Sequence, residues 1–179
     1  MLDASKSALL VIDVQGKLAQ LMHDKERVFE NIQRMVKGAR ALELPIIWTE
    51  QYPEGLGLTI PEIAQLLVDQ KPVIKNTFSC FGNDEFAAHL QELGRKQILL
   101  TGIETHVCVY QTAADLTQKD FRVEVIVDAV SSRTPENKQI GLDRMKDMGV
   151  WWNTTEMALF ELLRIAEGKK FKEILRIVK

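Results

Sequence analysis

Short apolar runs alternate with longer amphipathic stretches along the whole chain of 179 residues. The first run, Ala8–Ile12, is apolar at every position and stops at Asp13, which is typical of a parallel strand covered by helices on both faces. The stretch after Asp24 carries apolar residues at three- and four-residue spacing, so it is predicted to be a helix with Asp24 as its N-cap. Because consecutive parallel strands need a crossover, the alternation predicts an α/β fold, a Rossmann-like three-layer α/β/α sandwich around a six-stranded parallel sheet.

Six short runs are predicted to be the strands of this sheet. They are Ala8–Ile12, Ile46–Thr49, Pro72–Ile74, Gln97–Thr101, Arg122–Val127 and Val150–Trp152. Between the second and third of them, Glu50–Pro61 carries several Gly and Pro residues and is predicted to be an irregular loop of the kind that often lines a site. Neither a repeat nor a flexible linker divides the sequence, so residues 1–179 are expected to form one domain.

The charged residues argue against several kinds of partner. The 23 basic and 25 acidic residues are intermixed and leave a formal net charge of -2, so neither nucleic acid nor an anionic membrane is expected to bind. No apolar run reaches the length of a membrane span, and no secretory signal is visible. The two cysteines, Cys80 and Cys108, match neither a disulfide framework nor a zinc pattern, so a reducing, cytoplasmic setting is expected.

Three reactive side chains follow predicted strands, at the edge of the sheet where α/β proteins bind ligands. Asp13 and Lys75 each come directly after a strand, and Cys108 lies about one turn into the helix that follows Gly102. The positive end of that helix would lower the thiol pKa and favour the thiolate. Taken singly, these residues are explained as well by a turn cap, a solvated lysine and a buried small side chain. Together they predict a nucleophilic site in which Lys75 stabilises the thiolate and holds Asp13 as an ionised base.

Several segments carry a resemblance to a known family. Leu10–Gln15, Lys75–Phe81 and Thr101–Val109 are similar to the three signature blocks of the isochorismatase-like cysteine hydrolase superfamily, in the same order and at similar spacing. The Thr154–Leu163 segment is similar to the start of the family's final helix. The loop sequence within Thr49–Gly57 resembles that of the isochorismatase-domain-containing protein subgroup.

The resemblance implies an enzyme, a hydrolase with an Asp-Lys-Cys triad formed by Asp13, Lys75 and Cys108. It also implies a cis peptide between Ile103 and Glu104, so that the amides of Glu104 and Cys108 form the oxyanion hole. In the family's amidases the Asp takes the thiol proton, the thiolate attacks a carbonyl carbon, and water then releases the acyl-enzyme. The implied reaction is hydrolysis of a small amide-type C–N bond.

Two departures from well-known family members limit the function. Nicotinamidases of the superfamily place an Asp-x-His pair and a further His after the second strand, whereas the segment Trp48–Gly57 contains no histidine. One carboxylate and one amide suit a transition metal poorly, so neither a metal nor another cofactor is expected. Siderophore isochorismatases, which hydrolyse a vinyl ether, lack the nucleophilic cysteine, so the presence of Cys108 favours acyl-enzyme chemistry, and vinyl ether hydrolysis is kept as an alternative. A non-catalytic binding protein on the same fold is a second possibility, and a thiol redox protein that uses Cys80 as the resolving cysteine is a third.

A small-molecule substrate is expected to meet further side chains around the triad. The candidates are Gln15, Trp48, Glu50, Tyr52, Phe78, Phe81 and Thr105. The four aromatic residues would wall a small apolar pocket, although ordinary packing explains each of them equally well. Gln15 would bond Asp13 or the substrate, with turn formation as the alternative. Relatives with this fold commonly assemble, so a homo-oligomer is expected, to which either the pair Trp151 and Trp152 or the helix after Cys108 would contribute.

Overall fold

The computed structural model describes residues 1–179 and contains one sheet of six parallel strands. They are β1 (Ser7–Ile12), β2 (Ile46–Gln51), β3 (Val73–Lys75), β4 (Gln97–Ile103), β5 (Arg122–Ser131) and β6 (Trp151–Asn153). Their spatial order is β3-β2-β1-β4-β5-β6, and every neighbouring pair is parallel. The predicted α/β sandwich with a six-stranded parallel sheet is therefore confirmed.

Helices connect the strands and cover both faces of the sheet. They are α1 (Gly16–Gln20), α2 (Lys25–Ala41), α3 (Pro53–Leu56), α4 (Pro61–Ala64), α5 (Asp84–Leu93), α6 (Tyr110–Gln118), α7 (Pro135–Asp147), α8 (Thr155–Leu163) and α9 (Gly168–Val178). Asp24 occupies the N-cap position of α2 as predicted, but its backbone is left-handed (φ 53°) and its side chain makes no capping bond. Thr134 does cap α7, accepting a hydrogen bond from the Asn137 amide. The predicted loop after β2 contains the short helix α3, and β5 runs four residues further than predicted.

Alternating side chains of the central strand pack into two cores. Leu9 and Val11 belong to the core covered by α2, α8 and α9. Leu10 and Ile12 belong to the opposite core, covered by α5, α6 and α7. Because successive side chains of a strand point to opposite faces, a strand buried on both faces must be apolar throughout. This explains why the sequence of β1 shows no polar alternation.

The strand order reverses between β1 and β4, and this reversal positions the site. From β1 the chain moves outward to β2 and β3, and then returns to add β4 on the other side of β1. The carboxyl ends of strands at such a reversal border an open crevice. Asp13 follows β1, and Gln51 and Lys75 end β2 and β3, where they pair directly. Cys108 lies in the helical turn that follows β4.

Gly102 allows β4 to lie against β1 beside this crevice. It pairs with Ile12, has a φ of +113°, and marks a shift in the register between β4 and β5. A Cβ atom at this position would lie 2.1 Å from the carbonyl oxygen of Ile12. The backbone therefore approaches β1 more closely than any side chain permits.

We expect Gly102→Ala to destabilise the fold strongly. The matched control is Gly94→Ala, since Gly94 also has a positive φ (+61°) but has no atom within 4 Å of the added Cβ. The control should lose about 1 kcal/mol of the free energy of unfolding, from backbone conformation alone. Gly102→Ala should lose on the order of 3 kcal/mol or more, because the clash adds to that cost. Urea unfolding of both variants tests this, and equal losses would contradict it.

Candidate active site

Asp13 and Lys75 form a buried ion pair beneath the crevice. The Lys75 Nζ lies 2.6 Å from the Asp13 Oδ2, and the two side chains are 0% and 5% exposed. The other carboxylate oxygen, Oδ1, accepts a hydrogen bond of 2.7 Å from the Thr49 hydroxyl. Asp13 has a φ of 50°, a left-handed conformation that turns the chain sharply at the end of β1. Both oxygens of the carboxylate are thus held by the protein.

The Lys75 ammonium is surrounded by oxygen atoms. Besides Asp13, its neighbours are the Gln51 Oε1 at 3.1 Å and the carbonyl oxygens of Thr77 and Phe78 at 2.9 and 3.1 Å. An ammonium group has three protons, so these four acceptors use all of its donor capacity. Burial of a charge is tolerated only when it is paired and hydrogen-bonded in this way.

Cys108 lies over the ion pair, near its carboxylate. Its thiol donates a hydrogen bond to the Gln51 Oε1, with the Sγ at 3.3 Å from that oxygen, and Cys108 lines the same cavity as Asp13. Burial raises the pKa of the Cys108 thiol, the negative charge of Asp13 raises it further, and Lys75 opposes these effects only in part. The prediction that the helix start lowers this pKa is therefore wrong for the resting protein. Cys108 therefore rests as a thiol, with the Asp13 carboxylate nearby.

An irregular backbone connects β4 to Cys108. The Ile103–Glu104 peptide is cis, which confirms the geometry implied by the family resemblance. The next residues, Thr105–Val109, form a π-helical turn before α6 begins. The Glu104 carbonyl oxygen accepts hydrogen bonds from the amides of Val107 and Val109 at 3.0 and 3.3 Å, so this turn folds tightly back on the end of β4.

The side chain of Glu104 is buried and held by the loop after β5. Its Oε2 accepts hydrogen bonds from the backbone amide and the Nε of Arg133 at 3.1 and 3.2 Å. On the other side of the turn, the helix α7 approaches so closely that a Cβ on Gly141 would lie 2.8 Å from the Cα of His106. The turn that carries Cys108 is thus fixed from two directions.

A small cavity opens above the thiol. Its volume is about 210 Å³, the space of roughly seven water molecules at about 30 Å³ each. The lining residues are Asp13, Leu18, Gln51, Leu56, Phe78, Ile103, Glu104, Val107 and Cys108. Most of this wall is apolar, and its polar side chains are those of Asp13, Gln51 and Glu104. Among the predicted substrate contacts, Phe78 lies on this wall.

Gln51 is the most important wall residue that the sequence analysis missed. Strand alternation would have found it, because Thr49 and Gln51 share the face of β2 that looks toward Asp13. Trp48 and Glu50, which were predicted instead, have the opposite phase. Trp48 packs in the core beneath α2, and the Glu50 carboxylate accepts a hydrogen bond of 2.6 Å from the Thr59 amide. Neither of them lines the cavity.

Three further predicted contacts also lie off the cavity wall. Tyr52 is 55% exposed and stacks over Gly55, because its left-handed backbone turns it away as α3 begins. Phe81 packs against Phe86 at the edge of its ring. Thr105 is fully buried, and its hydroxyl has no hydrogen-bond partner.

Gln15 supports the wall indirectly and does not bond the Asp13 carboxylate. It is fully buried, and its Oε1 accepts a hydrogen bond of 2.7 Å from the Gln51 amide. Its Nε2 donates to the carbonyl oxygens of Gln51 and Gly57 at 3.1 and 2.7 Å. Gln15 therefore connects the chain after β1 to Gln51 and to Gly57, the two ends of the segment that carries the wall residue Leu56.

The second cysteine, Cys80, lies in the same core as Cys108. It is fully buried, and burial together with the charge of Asp13 raises its pKa to about 12. Both cysteines are free thiols.

No three His, Cys, Asp or Glu side chains gather closely enough to hold a metal ion. No helix of the chain has the length and apolar character needed to cross a bilayer.

Sequence and structure comparisons place this α/β protein, with its cysteine-bearing turn after β4, in a known family. Residues 7–157 match the isochorismatase domain, and the chain belongs to the isochorismatase family. It is 40% identical over 177 residues to the isochorismatase domain-containing protein 2A of Mus musculus, covering 97% of this chain and 82% of that protein.

Two solved structures share nearly the whole fold. One, described as the MAR1 ribonuclease of Caenorhabditis elegans, has a TM-score of 0.92 and 34% sequence identity, covering 99% of this chain and 91% of that one. The other is YcaC from Pseudomonas aeruginosa, described with hexane-2,5-diol and covalent acrylamide. It has a TM-score of 0.91 and 26% identity, and the match covers 98% of this chain and 90% of that one.

We expect the buried ion pair to show strong coupling in a double-mutant cycle. Lys75→Met leaves the Asp13 carboxylate buried without its cation, which should lower the free energy of unfolding by roughly 3–5 kcal/mol. Adding Asp13→Asn removes the uncompensated charge, so the double variant should be more stable than Lys75→Met alone. Urea unfolding at neutral pH measures all four proteins. Additive losses would show that the two charges do not depend on each other.

Both thiols should stay protonated in the folded protein well above neutral pH. A raised folded-state pKa means that the folded chain binds these protons more tightly than the unfolded chain. The resulting stability is fully present below the unfolded thiol pKa of about 8.5 and is lost as the pH rises toward the folded values. Ultraviolet absorbance of the thiolate should therefore appear at higher pH in the native protein than in urea. Thiolate absorbance from native Cys108 at neutral pH would contradict this assignment.

Proposed function

We propose that this protein is a cysteine hydrolase that cleaves a small amide-type C–N bond through an acyl-enzyme on Cys108. The observation that carries the proposal is that the Cys108 thiol and the Asp13 carboxylate line one small and largely apolar cavity, with the carboxylate held by Lys75 at 2.6 Å. A nucleophile beside a base that is itself oriented by a third group is the usual arrangement for covalent catalysis.

The first half of the reaction forms the acyl-enzyme. As the sulfur attacks the substrate carbonyl carbon, Asp13 takes the thiol proton, so no free thiolate accumulates beforehand. The carbonyl oxygen becomes an oxyanion, for which the backbone amides of Glu104 and Cys108 are the proposed donors. Asp13 then gives its proton to the leaving nitrogen, the C–N bond breaks, and the amine departs.

The second half releases the acid. Asp13 takes a proton from a water molecule as that water attacks the thioester carbon, and the proton returns to the sulfur when the C–S bond breaks. Lys75 exchanges no proton in this scheme. It keeps Asp13 in position and offsets the negative charge of the carboxylate and of the sulfur during attack.

The comparisons support parts of this proposal. Membership in the isochorismatase family supports a hydrolase. The covalent acrylamide in the Pseudomonas aeruginosa structure is consistent with a reactive nucleophile in that relative, since acrylamide alkylates thiols. Homo-oligomeric assembly stays a prediction, with the 61% exposed Trp151 as one candidate contact.

Other reactions are less well supported by this site. Vinyl ether hydrolysis would leave the thiol beside Asp13 without a role. Ribonuclease activity, named for the Caenorhabditis elegans relative, would require cations for a phosphodiester, and the cavity wall has none. A redox role would require Cys80, which is fully buried, to exchange with Cys108.

A substrate panel with two cysteine variants tests the proposal. The panel contains small amides, carbamoyl compounds, isochorismate and a short RNA. We expect turnover of an amide or carbamoyl compound, and we expect Cys108→Ala to reduce its rate on the order of a thousandfold or more.

Cys80→Ala is the matched control, because it removes the other buried thiol and should retain turnover. Unchanged turnover in Cys108→Ala would refute the acyl-enzyme. Turnover of isochorismate or RNA alone would assign the site to a different reaction.

A further inference from the structure

Every charged side chain that borders the cavity is already neutralised within the chain. The two charged residues of the wall are both acidic, Asp13 and Glu104. Asp13 pairs with Lys75 at 2.6 Å, and Glu104 pairs with Arg133 at 3.2 Å. Neither partner cation lies on the wall, so the site has no net charge to offer to a charged ligand.

The cation nearest to the thiol has no capacity left for a ligand. The Lys75 side chain is 0% exposed, and four oxygen acceptors surround its ammonium. No lysine, arginine or histidine lies on the wall of the cavity. A carboxylate entering this space would lose its hydration without gaining a counterion, which is strongly unfavourable in an apolar environment.

Gln51 supplies a neutral donor. Its Oε1 lies 3.1 Å from the Lys75 Nζ, and an ammonium group can only donate, so the oxygen of the carboxamide must face the ion pair. The same oxygen accepts from the Cys108 thiol. Its Nε2 therefore remains as an uncommitted donor on the wall, suited to an uncharged acceptor such as a carbonyl oxygen.

From these contacts we infer that the site selects small, neutral acyl substrates with an apolar body and rejects those that carry a carboxylate. The inference rests on the proposed function and adds the substrate class. The apolar side chains Leu18, Leu56, Ile103 and Val107 pack the body of the substrate, and Gln51 Nε2 bonds an uncharged acceptor on it.

Two alkylating reagents of equal shape test the charge selectivity without knowledge of the substrate. N-(carbamoylethyl)maleimide and N-(carboxyethyl)maleimide carry the same electrophile, and the second has a carboxylate in place of the amide. The alkylation rate of each reagent is measured on the full chain at physiological salt, and peptide mass spectrometry assigns the modification to Cys108. Each rate is then divided by the rate of the same reagent with N-acetylcysteine, which corrects for intrinsic reactivity. We expect the neutral reagent to be favoured on the order of tenfold or more.

Two substitutions at one wall position connect the selectivity to charge. Leu18→Arg adds a cation to the wall and should reduce the preference for the neutral reagent. Leu18→Gln is the matched control, because it also removes the apolar side chain but adds no charge, and it should retain the preference.

The outcomes separate this inference from the proposed function. Two results would overturn the selection of neutral substrates without contradicting a nucleophilic Cys108. One is an equal normalised rate of the two reagents at Cys108 of the unsubstituted protein. The other is an equal preference for the neutral reagent in Leu18→Arg and Leu18→Gln. Modification of Cys108 by neither reagent, under conditions that label both thiols of the urea-unfolded chain, would overturn the accessible nucleophile and the inference together.

Discussion

The ion pair between Asp13 and Lys75 connects two strands that are not neighbours in the sheet. Asp13 follows β1 and Lys75 ends β3, while β2 lies between them and contributes Thr49 and Gln51 to the same hydrogen-bond network. A lysine ammonium that is fully buried needs every one of its protons accepted. The carboxyl ends of three strands, and the carbonyl groups of the turn after β3, are therefore fixed relative to one another.

This constraint explains the chemical state of the cysteine. A thiol placed in an apolar environment beside a carboxylate has a raised pKa, so it is a weak nucleophile at rest. The same carboxylate is held in one orientation, because Thr49 and Lys75 bind both of its oxygens. In the proposed mechanism Asp13 takes the thiol proton during attack, so a resting thiolate is not needed.

The sequence predicted the architecture, and the placement of Asp13, Lys75 and Cys108 around one crevice, for simple physical reasons. The doubly buried strand β1 is continuously apolar, and a reactive residue placed directly after such a strand must lie at the ligand-binding edge. Asp13 meets this condition, Lys75 is the last residue of the edge strand β3, and Cys108 lies in the helical turn that follows β4.

The wall of the cavity was predicted less well, because it depends on the phase of β2 and on contacts distant in sequence. Shifting the phase by one residue exchanges Gln51 for Glu50 and so places the wrong side chain in the site. The role of Gln15 depends on a segment that begins 36 residues later. The thiol pKa depends on Asp13, a neighbour that helix position alone does not reveal.

The most direct test of the acyl-enzyme on Cys108 is the mass of the protein during turnover. An amide that the enzyme hydrolyses is mixed with excess protein, quenched in acid within the first turnover, and the intact chain is weighed. We predict an added mass equal to the acyl group, located on Cys108 by peptide mapping, and its absence in Asp13→Asn. Turnover of the amide with no acylated protein at any quench time, or an adduct located on another residue, would contradict this mechanism.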